Sequence, residues 1–205
     1  IEGMAPGDIY LVNDPYEGGT HLPDIYVTKP IFVDGGCVGF VATCVHHVDI
    51  GGRVPGGNAS DSTEIYQEGL RLPPLKLYDR GEPNDTLFRI FEKNVRIPDK
   101  VIGDLHSQVS GCHIGERGLL DIINEYGLER YLSLTEALLD YTEQVTRAEI
   151  RTFPDGIYEF DDYIDGDGMD SGPILIHINL IKEGDAITVD YTGTSPQVKG
   201  SINPV

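Results

Sequence analysis

The stretch DIYVTKPIFVDGGCVGFVATCVHHVDI, residues 24–50, decides the fold. Val, Ile and Phe recur in both of its halves, with Tyr26 in the first, as a pleated, half-buried surface prefers. Asp34-Gly35-Gly36 lies between the halves, and such a dipeptide-plus-glycine run supplies the φ > 0 positions of a tight hairpin turn. The reading is a strand from residue 24 that is interrupted at Pro30 and resumes toward the turn, followed by a longer strand over 37–50. Side chains alternate across a strand, so the second half has two faces. His46 falls with Phe40, Ala42, Cys44 and Val48, whereas His47 falls with Val41, Thr43, Val45 and Asp49.

Around this hairpin the periodicity changes twice. Residues 9–12, IYLV, read as a short buried strand, and GGRVPGGNASD (51–61) as a loop. Residues 62–70 predict a short helix capped by Ser62 or Asp61. Pro73 and Pro74 then exclude a helix interior, so 71–83 is extended. From 85 to about 150 the spacing is helical: one helix from an Asp85 cap, one from Asp99 to Gly127, and one opened by the capping box Ser133–Glu136. Gly103, Ser107, Gly111 and Gly115 recur every four positions, a smooth stripe that admits close approach of a backbone or a ligand. After Pro154-Asp155-Gly156 three strands follow, turning at 166–168 and 183–185. The order strands, helices, strands lacks βαβ alternation, so the fold class is α+β, with antiparallel or mixed sheets flanking a central helical segment. The segments are 1–84, 85–152 and 153–205, taken together as one domain. The chain starts close to a strand and stops at SINPV, which reads as an internal piece of a longer polypeptide.

Composition narrows the chemistry. Against 15 Lys plus Arg stand 34 Asp plus Glu, a formal charge of -19, and such a surface repels phosphate backbones, so nucleic acid is not an expected partner. Cys37, Cys44 and Cys112 form no CxxC pair, which leaves zinc ribbons and disulfide frameworks unsupported and makes a reducing cytoplasm the expected location. No apolar run approaches the roughly 20 residues of a membrane span, so no membrane association is expected. The patterns GxxxxGK[ST], GxGxxG and GxSxG are missing, so nucleotide cradles and hydrolase elbows have no signal here.

Two places carry metal-binding side chains. NDPYEGGTHLPD (13–24) sets His21 and Asp24 three apart, with Pro23 stiffening the link. Imidazole nitrogen plus carboxylate oxygen is half a site for a divalent transition metal, although so short a motif also suits a plain surface loop. VHHVDIGG (45–52) ends a strand in two histidines and Asp49, beside a flexible loop. His21, Asp24 and one of His46 or His47 make a two-His, one-carboxylate set with open positions for water or substrate. The other histidine, Asp14 and Asp49 are then the candidates to accept ring N–H bonds and orient the ligands. His106 and His113 read as helix surface or packing, and His177 as a strand residue facing solvent or a helix. DGDGMDSGP (165–173) departs from the EF-hand pattern and reads as a turn.

GDIYLVNDPYEGGTHLPDI, HHVDIGG, EGLRLPPLKLY, GDLHSQVSG with GERGL, and YTGTSPQVKGSIN occur here in that order. In these motifs the chain resembles the hydantoinase B/oxoprolinase family, which takes in the B-type component of N-methylhydantoinase, the C-terminal part of 5-oxoprolinases and the alpha component of acetone-type carboxylases. The resemblance implies ATP-dependent chemistry divided between subunits. A hydantoinase A-type partner binds ATP and phosphorylates an amide or carbonyl oxygen. The B-type component then completes hydrolysis of a cyclic amide, or carboxylation of a small ketone. It further implies a divalent ion of the Mn, Zn or Fe type, on His21, Asp24 and His46 with His47 as the near alternative. A subunit that only docks the ATPase partner is the non-catalytic reading.

Overall fold

The computed structural model describes residues 3–57, 59–169 and 172–203. Two compact units divide the chain, Ile1–Glu125 and Tyr126–Pro204. The helical stretch is therefore shared between the units and is no segment of its own.

In the first unit, β1 (Ile9–Val12), β2 (Asp24–Val33), β3 (Gly36–His46), β4 (Leu75–Asp79) and β5 (Glu82–Pro83) form one antiparallel sheet in the order β3-β2-β1-β4-β5. The expected hairpin is β2–β3, and the interruption expected at Pro30 does not occur. The ladder of β2 with β1 stops at Thr28, so at Pro30 the strand has β3 alone beside it, where a missing N–H is tolerated. β3 ends at His46 rather than running on to residue 50: the His47 amide still donates to the Pro23 carbonyl at 2.8 Å, but Pro23 has no N–H to return a bond and the ladder stops there.

Helices α1 (Asp85–Asn94) and α2 (Pro98–Tyr126) supply the rest of the core. Ile9, Leu11, Ile25, Val27 and Leu77 of the sheet meet Leu87 and Phe91 of α1 and Val101, Leu105, Val109 and Cys112 of α2. The cap of α1 is Asn84, which accepts from the Leu87 amide at 3.2 Å, in place of Asp85. The small-residue stripe divides: Gly111 and Gly115 lie over Thr43 and Val41 of β3, and a Cβ on Gly115 would come within 2.5 Å of Val41 Cγ1. Gly103 faces open space. The helix expected over 62–70 is only a short 3-10 turn, Ile65–Gln67. The chain after it is held elsewhere, with Leu70 N–H on the Ile50 carbonyl and the Leu72 carbonyl taking the amides of Asn13 and Asp14. His106 stacks on Phe88, and His113 stands beside Lys29 and Glu116, both as packing groups.

Two buried polar groups tie this unit together. Asp8 is fully buried; it accepts from the Ala5 and Arg80 amides and the Tyr10 hydroxyl, and pairs with Lys76 at 2.9 Å. Burial works against its charge, but these partners outweigh it and hold the carboxyl far below its ordinary 3.8. Gln108 of α2 donates to the Ile25 carbonyl at 2.8 Å and to the Thr43 carbonyl at 3.4 Å, and its Oε1 lies 2.9 Å from His47 Nε2.

The second unit holds α3 (Leu128–Ile150) and the meander β6 (Gly156–Ile164), β7 (Ile174–Glu183) and β8 (Ala186–Asp190), antiparallel throughout. Gly127, at φ 82, both ends α2 and opens α3, so Ser133 and Glu136 sit inside the helix and cap nothing. His177 lies on the polar face of β7, where its Nδ1 meets Asp161 Oδ1 of β6 at 2.6 Å and raises the imidazole above its ordinary range. Asp167 holds the connection between β6 and β7 by accepting from the Met169 and Gly200 amides; Asp170 and Ser171 of that stretch lie outside the described residues. Among the described residues no helix is long and apolar enough to cross a membrane.

A depressed carboxylate stabilises the fold above its unfolded pKa, and that contribution is lost as pH falls. Asp8→Asn is expected to cost about 2 kcal/mol at neutral pH and to flatten the fall in stability below about pH 4, as urea unfolding across pH would read. Gln108→Leu strands the His47 N–H and two strand carbonyls, with an expected loss of about 3 kcal/mol by the same measurement. A loss under about 0.5 kcal/mol would mean the bridge carries no weight.

Candidate metal centre

The loop that leads from β1 into β2 is built from the inside outward. Asn13 is fully buried, donates to the carbonyls of Leu22 at 2.7 Å and Leu70 at 2.9 Å, and accepts from the Leu72 amide at 2.7 Å. One side chain thus fixes both ends of the loop to a third segment. Asp14 caps the 3-10 turn Pro15–Glu17 by accepting from Tyr16 N–H at 3.0 Å, and its other oxygen pairs with Arg71 at 2.9 Å. Gly18 leaves this turn at φ 107, a left-handed conformation that suits glycine. At Gly19 a Cβ would meet the Asn13 carbonyl oxygen at 2.4 Å, so only glycine passes. The chain then presents Thr20 and His21, and the Asp24 amide returns to the His21 carbonyl at 3.0 Å.

The hairpin register completes the site. Asp24, first residue of β2, pairs directly with His46, last residue of β3. Directly opposed residues put their side chains on one face, with Cβ atoms roughly 5 Å apart. His21 Nδ1 lies 2.8 Å from Asp24 Oδ2, and the His21 and His46 rings stand 4.9 Å apart between centroids. One ligand atom from each of His21, Asp24 and His46 lies within 4.8 Å of the other two. Among the described residues this is the one such group of His, Cys, Asp or Glu. The donor set fits a divalent ion. Two ligands of one ion with bonds near 2.1 Å sit about 3 Å apart, and the 2.8 Å between His21 Nδ1 and Asp24 Oδ2 is compatible with that spacing. Two imidazoles and a carboxylate suit Mn, Fe or Zn, and three ligands leave positions open. His21 and Asp24 are partly exposed and His46 is exposed, so the site opens to solvent.

Of the two adjacent histidines, His46 is at the centre and His47 is not. His47 is fully buried on the opposite face, against Gln108. The Gln108 amide N–H groups are committed to strand carbonyls, so its oxygen accepts and His47 Nε2 carries the proton. Nδ1 then has no partner, and burial pushes this imidazole below its ordinary range. Asp49 accepts from the Arg96 backbone N–H at 2.6 Å and from its guanidinium at 2.9 Å, while Arg96 also donates to the carbonyls of Gly51, Gly52 and Val54. The expectation that Asp14, His47 and Asp49 orient the ligand rings is therefore corrected. Asp14 serves its loop, His47 the helix-to-sheet packing and Asp49 the glycine loop, because each side chain is consumed by a nearer partner.

Two groups near the centre had no signal in the sequence. Thr20 Oγ1 donates to Asp24 Oδ2 at 2.8 Å. Glu68 is half-buried, and burial pushes its carboxyl up while the charge of His21 opposes the shift. Gly52 and Gly57 pack on the Glu68 backbone, where a Cβ would come within 2.5 and 2.8 Å, and Gly57 also lies beside Pro23. The glycine loop is thus seated between the Glu68 segment and the residues that precede Asp24.

The family model of hydantoinase B/oxoprolinase matches residues 1–205. The chain is similar to the B component of a putative D-/L-hydantoinase of Pseudomonas sp. (strain NS671), with 36% identity over 197 residues that cover 94% of this chain and 33% of the relative. Its structure is similar to the ATP-dependent caprolactamase of Pseudomonas jessenii, at TM-score 0.93 and 34% identity over 98% of this chain and 35% of that one. A nucleotide-free acetone carboxylase shares the fold, at TM-score 0.90, 20% identity, and 98% and 28% coverage. The chain spans about a third of the length of these relatives. The motifs, the fold and the match over its whole length place the chain in the hydantoinase B/oxoprolinase family.

Proposed function

We propose that this chain is the metal-bearing part of a B-type component that acts in ATP-dependent hydrolysis of a cyclic amide, of the hydantoin, 5-oxoproline or lactam class. The observation that carries the reading is the convergence of His21, Asp24 and His46 on one point of an open sheet face. A divalent ion of the Mn, Zn or Fe type, when bound, supplies Lewis acidity toward a substrate oxygen or a water molecule. The protein side of the chemistry is positioning. Asp24 and the two imidazoles fix one point in space, and the loop tied by Asn13 and Asp14 keeps His21 at the mouth of the hairpin. ATP belongs to a separate partner of the hydantoinase A type, which activates the amide oxygen before the ring C–N bond is broken. This division is supported by the missing phosphate loop, and by relatives that are themselves the B or beta component of a multi-subunit hydantoinase or caprolactamase.

A component that merely docks the ATPase would have no use for two histidines and an aspartate held at ligand spacing. Carboxylation of a small ketone uses the same activated oxygen and shares the fold, and the assay below distinguishes it.

Isothermal titration of the chain with MnCl2 or ZnCl2 is expected to show one site, and His21→Ala or His46→Ala to weaken it by about tenfold or more. In the full-length protein with its ATP-binding partner, His21→Ala is expected to abolish ring opening and to spare part of the ATP hydrolysis. Turnover that requires bicarbonate would replace the hydrolase reading with the carboxylase one. Titration of the chain alone with Mg-ATP is expected to be silent, and micromolar binding would overturn the division of labour.

A further inference from the structure

We propose that Thr20 and Tyr26 are positioning residues of the His21–Asp24–His46 centre, forming a hydroxyl chain that fixes the carboxylate of Asp24. The inference rests on the metal reading above and goes beyond its ligand set. Tyr26 is two residues from Asp24 on β2, so both side chains emerge on the same face of the sheet. Thr20 stands just ahead of His21. Its Oγ1 lies 2.8 Å from Asp24 Oδ2 and 3.3 Å from the Tyr26 hydroxyl.

The direction of the chain follows from valence. An ionised carboxylate only accepts, so the single Thr20 proton goes to Asp24. The lone pairs of Thr20 Oγ1 then face the Tyr26 hydroxyl, which donates. Tyr26 orients Thr20, and Thr20 orients Asp24. Asp24 Oδ2 is also the atom that His21 Nδ1 meets at 2.8 Å. With an ion held by His21, Asp24 and His46, the Thr20 bond would remain as a restraint on that oxygen. A carboxylate held this way has little rotational freedom left to lose when the ion arrives, and hydrogen-bonding partners of metal ligands are worth roughly 10–100-fold in affinity.

The location separates positioning from folding. Thr20 is exposed and Tyr26 half-buried, and neither belongs to the buried core cluster. Their replacement removes hydroxyls from the site and leaves the core contacts in place.

The test is titration of the intact 205-residue chain with MnCl2 and ZnCl2, for the unsubstituted protein, Thr20→Ser, Thr20→Val, Tyr26→Phe and His21→Ala. Thr20→Val is expected to bind about tenfold or more weakly, Tyr26→Phe to lose less in the same direction, and Thr20→Ser to bind as the unsubstituted chain does. Unfolding midpoints without ion are expected to coincide for all of them, which a structural role would not allow. Equal affinity of Thr20→Val and the unsubstituted chain, or a Thr20→Ser as weak as Thr20→Val, overturns the proposal and leaves the metal reading standing. An unsubstituted chain that takes up no ion, or a His21→Ala that binds equally well, overturns the metal reading and this proposal with it.

Discussion

The direct pairing of Asp24 with His46 is the constraint on which the site depends. It places a carboxylate from the first residue of one strand opposite an imidazole from the last residue of the next. Strand side chains alternate with period two, so a slip of one residue would offer His47 in place of His46 and turn every neighbour to the wrong face. The register is held from the inner side. Ile25, Val27, Val41, Thr43 and Val45 face α2, and Gln108 ties the Ile25 and Thr43 carbonyls together across the two strands. Gly111 and Gly115 let the helix come close enough for that tie, since a side chain on Gly115 would collide with Val41.

His46 and His47 show how one dipeptide serves two ends. The outward residue of the pair meets His21 and Asp24 in solvent reach. The inward one is fully buried and locked to the helix as a neutral ring. An orphaned Nδ1 in a packed interior costs free energy, and its tolerance here points to the strength of the rest of the bridge. The exposed His21–Asp24–His46 face and the packing face are therefore adjacent along the chain, one residue apart.

The same economy runs through the loops. Asp14, Asp49 and Asn13 are polar and buried, yet none touches the candidate ion site. Each satisfies backbone groups of loops that carry no regular ladder, as buried polar groups must. Their contribution to chemistry is indirect: they hold the His21 turn and the glycine loop in place. This frame is shared with longer relatives, of which the chain spans about a third.

The strands, the long helices and the α+β class were legible in the sequence, because burial periodicity and glycine turns are local properties. The candidate set of His21, Asp24 and one of the two histidines was also readable from residue types and spacing, and the structure brings His21, Asp24 and His46 together. Four things were decided by tertiary structure alone. The choice of His46 over His47 needed the strand register, because parity divides the residues into two faces but cannot assign either face to core or solvent. That Asp14, His47 and Asp49 stay away from the His21–Asp24–His46 group follows from partners distant in sequence, Arg71, Gln108 and Arg96, which take up their side chains. The continuity of β2 through Pro30 and the collapse of the 62–70 helix to a single turn follow from which neighbours happen to be present, β3 alone in the first case and the Asn13 and Ile50 segments in the second. Local sequence sets what each segment prefers, and long-range pairing sets which preference is satisfied.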